Sequence, residues 1–109
     1  MLITHDDFKK VEIRAGKILA VEEVPETEKL LKLTVDFGEE LPRQIISGIK
    51  HKVADWQSIV GLTTTFVTNL EPRIIKGFES NGMLFALGDD EHFSFLVPKD
   101  DLPPGSMAK

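Results

Sequence analysis

From Lys29 to Phe37 the chain alternates without a break: Leu31, Leu33, Val35 and Phe37 take one side, and Lys32, Thr34 and Asp36 the other. A period of two sends one set into a core and the other into water, so this stretch predicts a strand with one buried face. The preceding run, EIRAGKILAVEEV at 12–24, begins the same way with Ile13 and Ala15, but its parity shifts after Gly16. A one-residue shift beside a glycine predicts a β-bulge, with Gly16 at positive φ and the first strand coiled sharply enough to bend a small barrel. RQIISGI at 43–49 predicts a third strand that ends near Ser47 and Gly48. LTTTFVTN at 62–69 gives a β-branched fourth, GMLFALG at 82–88 a fifth, and FSFLV at 93–97 a shorter sixth segment. Turn formers at 25–28, 38–42 and 88–91 separate these runs, and the tail KDDLPPGSMAK reads as turns on the surface.

Two short helices complete the pattern. Thr4 followed three residues later by Asp7 resembles an N-cap with an acidic first turn opening HDDFKKV, a helix expected to lay Phe8 and Val11 on the core. DWQSIVG at 55–61 carries a cap at Asp55, sets Trp56, Ile59 and Val60 on one side and stops at Gly61, which suits a plug for one end of the core. Five strands with a plug helix between the third and fourth predict an all-β, five-stranded Greek-key barrel, the OB-fold, whose open face commonly binds oligonucleotides. A sandwich is the alternative that periodicity leaves open. The expected organisation is one domain over 1–109, with an N-terminal extension at 1–11 and a C-terminal one from about 88 to 109.

Between the fourth and fifth strands lies a stretch too long for an ordinary hairpin linker, 70–82, holding Pro72, Arg73, Lys76, Gly77, Ser80, Asn81 and Gly82. It is expected to be an ordered functional loop, because Ile74, Ile75 and Phe78 give it apolar anchors. Backbone-shaping residues beside cations and hydrogen-bonding groups suit a polar, anionic ligand. The net charge of −5 argues against such a ligand only until its distribution is considered. Residues 43–76 carry five cations, Arg43, Lys50, Lys52, Arg73 and Lys76, against Asp55 and Glu71, so a basic middle lies between two acidic flanks.

Other chemistry is sparse. Cysteine is absent, which rules out disulfides and thiolate metal sites and fits a reducing compartment. His5, His51 and His92 lack metal-ligand spacing, the acidic turns lack a paired base, and no glycine-rich phosphate motif occurs, so neither a cofactor nor a metal nor an enzymatic activity is implied. With no apolar run of membrane length and an acidic N-terminal segment, a cytoplasmic protein is expected.

Four runs, EIRAGKI at 12–18, KLLKLTVD at 29–36, RQIISGI at 43–49 and NLEPRIIKGFESNGML at 69–84, resemble the tRNA-binding domain appended to methionyl-tRNA synthetases. Free-standing tRNA-binding proteins and synthetase-associated cytokine precursors carry the same domain. The similarity extends from Phe8 to about Ser106, and the one departure noted is Ala15, where many members have valine. The resemblance implies an OB-fold that grips the outer corner of tRNA by shape, a homodimer, and an association with methionyl-tRNA synthetase. It places the family's loop positions on Asn69, Arg73, Ser80 and Met83 and its third-strand motif on Arg43, Ser47 and Gly48. With Lys32, Lys50, Lys76 and Asn81, these form the expected tRNA-binding set, since folded RNA is recognised through phosphates and 2′-hydroxyls. For Ser80 a loop-capping hydroxyl, and for Met83 core packing, are the structural alternatives. The competing function is that of a peptide-binding export chaperone, a role taken by relatives of the same fold.

Leu2, Ile3 and Phe8, with Phe93, Phe95 and Leu96, lie outside the five barrel strands and are expected to pack across a two-fold axis. Light scattering should therefore return the mass of two chains at micromolar concentration; the mass of one would contradict the dimer.

Overall fold

A computed structural model describes residues 1–109. Its elements are helix α1 (His5–Phe8) and strands β1 (Ile13–Glu23), β2 (Leu31–Asp36), β3 (Arg43–Ser47), β4 (Thr63–Val67), β5 (Arg73–Ile75), β6 (Phe78–Ser80), β7 (Met83–Leu84), β8 (Ala86–Gly88) and β9 (Phe93–Phe95). Two 3-10 turns, Lys50–Lys52 and Trp56–Ile59, join β3 to β4. The main sheet runs in the order β3-β2-β1-β4-β7, all neighbours antiparallel, and nearly closes into the expected five-stranded barrel.

β1 is the spine of that barrel. Its first half pairs with β4 from Ile13↔Val67 to Lys17↔Thr63, and its second half with β2 from Lys17↔Asp36 to Glu23↔Leu31. One strand divided between two partners has to coil, and the coil needs an irregularity. The register slips between Ile18 and Ala20, so the bulge falls at Leu19, whose side chain turns outward, and not at Gly16 as the parity suggested. Beyond the end of β4, Ile18 bonds through its N–H to the Leu62 carbonyl at 2.9 Å and through its carbonyl to the Gly61 N–H at 2.7 Å.

Gly16 is required for another reason. It lies in regular pairing with Thr64 and is not among the residues at positive φ. A Cβ at that point would stand 2.6 Å from both Phe37 Cε1 and Val35 Cγ1. The missing side chain is the space into which the Phe37 ring fits, edge-on to Phe66 with centroids 5.3 Å apart. Around this pair the alternating face of β2 (Leu31, Leu33, Val35) is fully buried with Ile18, Ile45, Ile49 and Ile59.

Several local expectations change. The Thr4/Asp7 capping box is present, but α1 spans four residues and leaves Phe8 and Val11 exposed, because so short a helix never reaches the barrel. The plug is 3-10 in form: Ile59 is buried, Trp56 packs half-buried against the core, and Val60 points outward. The fifth strand is broken, with β7 continuing the barrel and β8 leaving it to pair with β9. Phe93 and Phe95, expected at a dimer contact, pack half-buried against the chain's own core. The tail does not stay apart as surface turns. It runs beside β1, with Gly105 N–H on the Ala15 carbonyl at 2.7 Å, Ala15 N–H on the Ser106 carbonyl at 2.8 Å and Ala108 N–H on the Ile13 carbonyl at 2.8 Å. No helix is long and apolar enough to cross a membrane.

Gly16→Ala should destabilise the fold by about 1–3 kcal/mol, since the added methyl overpacks a rigid aromatic pair. Urea denaturation measures this. An unchanged midpoint would mean that Phe37 can move aside without loss.

Candidate nucleic-acid interface

The stretch between β4 and β7 was expected to be an irregular loop, and most of it is a β-hairpin. Arg73 pairs with Ser80, Ile74 with Glu79 and Ile75 with Phe78, and the two-residue turn is Lys76-Gly77 with φ of 52° and 86°. Two successive positive φ angles make a type I′ turn, whose twist matches that of the strands it joins. Lysine at its first position is unusual, which is why the sequence showed no hairpin signal. The geometry puts the Lys76 side chain at the tip.

The hairpin stands against β3 rather than free. Ser80 is buried: its hydroxyl accepts from Ile46 N–H at 3.0 Å and donates to the Gly82 carbonyl at 3.1 Å. The Gln44 amide donates to the Glu79 carbonyl at 2.9 Å, and Asn81 N–H donates to the Gln44 carbonyl at 2.8 Å. Arg43 Nη1 donates to the carbonyls of Thr68 at 2.7 Å and Asn81 at 3.3 Å, while its Nε and Nη2 each reach a Glu39 carboxylate oxygen at 2.8 Å. Asn69 faces the other way, accepting from Glu12 N–H at 2.8 Å and donating to the Lys10 carbonyl at 2.6 Å. Four residues of the expected binding set, Arg43, Asn69, Ser80 and Asn81, thus hold chain to chain.

Electrostatics follow the same division. The two bonds from Arg43 hold the Glu39 carboxyl below its ordinary range, and the carboxylate in turn raises the guanidinium. Glu12 is lowered chiefly by the Thr68 hydroxyl at 2.7 Å, with Arg14 and Arg43 adding to the effect. Arg14 Nε lies 2.8 Å from Glu12 Oε1 in an ion pair.

The remaining cations of the expected set lie on β2, after β3 and on the hairpin. Lys32 on β2 sits 5.0 Å above the Phe78 ring and 3.7 Å from Glu22. Lys50 lies 3.6 Å from Glu23, and its N–H donates to the Lys29 carbonyl at 3.0 Å. A hollow lined by 26–30 of the β1–β2 turn and by Ile75 and Lys76 brings that turn beside the hairpin tip. Arg73, Lys76 and Lys29 take part in none of the chain's ion pairs. Lys29 was not in the expected set, because its place on the hollow it shares with the hairpin tip depends on a sequence separation that pattern reading cannot see. Glu26 and Glu28 line the same hollow, so the face is mixed in charge. On the hairpin's other side, Arg73 and Met83 share a small cleft with Leu70, Glu71, Ile75, Ser80 and Gly82, next to a widely exposed Ile74. Ser47 is half-buried at the end of β3, opposite Leu31. No group of three or more His, Cys, Asp or Glu is placed to hold a metal.

A family model described as "Putative tRNA binding domain" matches residues 13–107. The chain belongs to this tRNA-binding domain family. Methionine–tRNA ligases share the domain: that of Myxococcus xanthus is 47% identical over 98% of this chain, and that of Methanococcus aeolicus 46% over 96%. The chain spans about 15% of the length of these curated relatives. Among solved structures, a MetRS related protein from Pyrococcus horikoshii superposes with a TM-score of 0.90 at 31% identity, covering 100% of this chain and 99% of that one. The chaperone CsaA from Bacillus anthracis has the same fold, with a TM-score of 0.86 at 24% identity over 100% of both chains. The tRNA-binding domain therefore carries its unpaired hairpin cations on the fold these proteins share.

Proposed function

We propose that the chain is a non-catalytic, structure-specific tRNA-binding module that grips the outer corner of folded tRNA and serves methionyl-tRNA synthetase, in the cytoplasm. The observation that carries this reading is the hairpin itself. It occupies the place between the fourth and fifth barrel strands, beside the first turn and across the β2–β3 surface, which is where OB-folds hold oligonucleotides. There it presents Arg73 and Lys76, which take part in no ion pair, with Lys29 on the turn beside the tip and Lys32 stacked over Phe78 of the hairpin.

Cations on turn tips spaced over a curved face meet phosphates at fixed separations and read no base edge, which is recognition of shape. Met83 and Ile74 supply apolar area beside Arg73 for an unstacked base or a sugar. Ser47, at the edge of this face, is retained as a contact. Because Glu22, Glu23, Glu26 and Glu28 share the surface, attraction is local to the cations and does not come from a broad positive field. The homodimer is proposed on the exposed Leu2, Ile3 and Phe8, together with Leu96, which lines an apolar groove on β1 and the tail. That groove, which also contains Ile13, Val97, Leu102 and Met107, supports the second reading, an export chaperone that binds apolar peptide segments.

Phosphate binding weakens steeply with salt, whereas apolar peptide binding holds or strengthens. Each phosphate-neutralising cation contributes roughly 0.7 to 0.9 to the slope of log affinity against log salt, so Arg73→Ala/Lys76→Ala should flatten that slope by somewhat under two. The loss should be alike for two unrelated tRNAs, with circular dichroism unchanged. A folded double variant that keeps the wild-type slope and affinity would remove the hairpin from the interface.

A further inference from the structure

Arg43 is one of the cations that the sequence places in the expected tRNA-binding set, and its surroundings indicate a different task. Its guanidinium is half-buried, with its centre 5.3 Å from the Phe37 ring centroid. Glu39 holds Nε and Nη2 in a fork, and Nη1 bonds two main-chain carbonyls. Those four bonds use nearly all of the five N–H groups that an arginine has. The two carbonyls belong to Thr68, which leaves β4 for the hairpin, and to Asn81, which follows the hairpin's last strand residue, Ser80. One planar group therefore ties both feet of the hairpin together, and the Glu39 fork fixes its plane.

We propose that Arg43 is a positioning residue: by clamping the carbonyls of Thr68 and Asn81 it sets the angle at which the hairpin presents Arg73 and Lys76, and it touches no phosphate itself. The consequence for binding rests on the tRNA-binding reading above; the clamp does not. Lysine cannot replace such a clamp, because a point charge lacks the planar fork that satisfies a carboxylate and two carbonyls together.

Glu39→Gln separates positioning from contact by the sign of its effect. It removes one acid and loosens the guanidinium without discharging it. If Arg43 reached out to phosphate, the freed cation and the higher net charge would tighten tRNA binding and steepen its salt dependence. If Arg43 positions the hairpin, binding should weaken by roughly three- to tenfold, as for partial loss of a charge-assisted hydrogen bond, and the salt slope should stay as in wild type. Arg43→Lys should weaken binding further, again at constant slope.

Affinity for two unrelated folded tRNA transcripts across a salt series should be measured together with amide hydrogen exchange in the RNA-free protein. The exchange of Ile75 and Phe78 should speed up in both variants while Leu33 and Val35 of β2 stay protected. Tighter binding by Glu39→Gln, or unchanged hairpin exchange in the folded variants, would overturn the proposal. If wild type bound no tRNA, the tRNA-binding reading would fall, and exchange would still decide the clamp. If Arg43→Lys failed to fold, Glu39→Gln alone would decide it, since Glu39 lies on the surface and its carboxylate is hydrogen-bonded to the guanidinium.

Discussion

A five-stranded sheet becomes a barrel only if its last edge is satisfied, and here no regular ladder is available to do it. On its outer side β3 faces the end of the hairpin, where Ile46 N–H, buried within the wall, has no carbonyl opposite it. An unpaired buried donor costs about 1–3 kcal/mol, so the seam depends on substitutes. The Ser80 hydroxyl takes the carbonyl's place, Gln44 uses both its carbonyl and its side-chain amide, and the Arg43 guanidinium ties the two crossing segments. Closure and hairpin placement are thus the same set of bonds, and any change at the seam reaches the binding face.

That coupling explains how an acidic chain presents a site for a polyanion. The net charge of −5 precludes steering by a broad field, and Lys32, Arg43 and Lys50 are held by glutamates. What remains is geometry: a rigid hairpin carrying Arg73 and Lys76, a turn carrying Lys29, and the surface of β2 and β3 between them. Rigidity matters because a contact that reads shape is worth only as much as the precision of its spacing.

The strands were legible wherever packing obeyed a simple period. Leu31, Leu33, Val35 and Phe37 are buried as their alternation required, and the barrel followed from the number and spacing of the runs. The parity shift in β1 was also genuine, but sequence located it at Gly16, the conspicuous residue, while the slip falls at Leu19. Gly16 serves a ring brought there from Phe37, twenty-one residues away, and a distant packing partner leaves no local pattern. The hairpin escaped because Lys76-Gly77 is an uncommon I′ turn. Within the candidate site, composition singled out the loop but could not tell a committed group from a free one. Arg43, Asn69 and Ser80 have the chemistry of contact residues and are spent on carbonyls, amides and a carboxylate, whereas Lys29, which lines a hollow with the hairpin tip, looked like the start of a strand. Glu39, four residues before Arg43, was the one local clue to that clamp.

The most direct test of this arrangement is to titrate folded tRNA into the isotopically labelled protein and follow every backbone amide by NMR. The account predicts shifts and broadening concentrated at Lys29, Lys32, Lys50, Arg73 and Lys76, with the groove of Ile13, Val97 and Met107 unperturbed. Perturbation confined to that groove, with the hairpin and the β1–β2 turn silent, would contradict it.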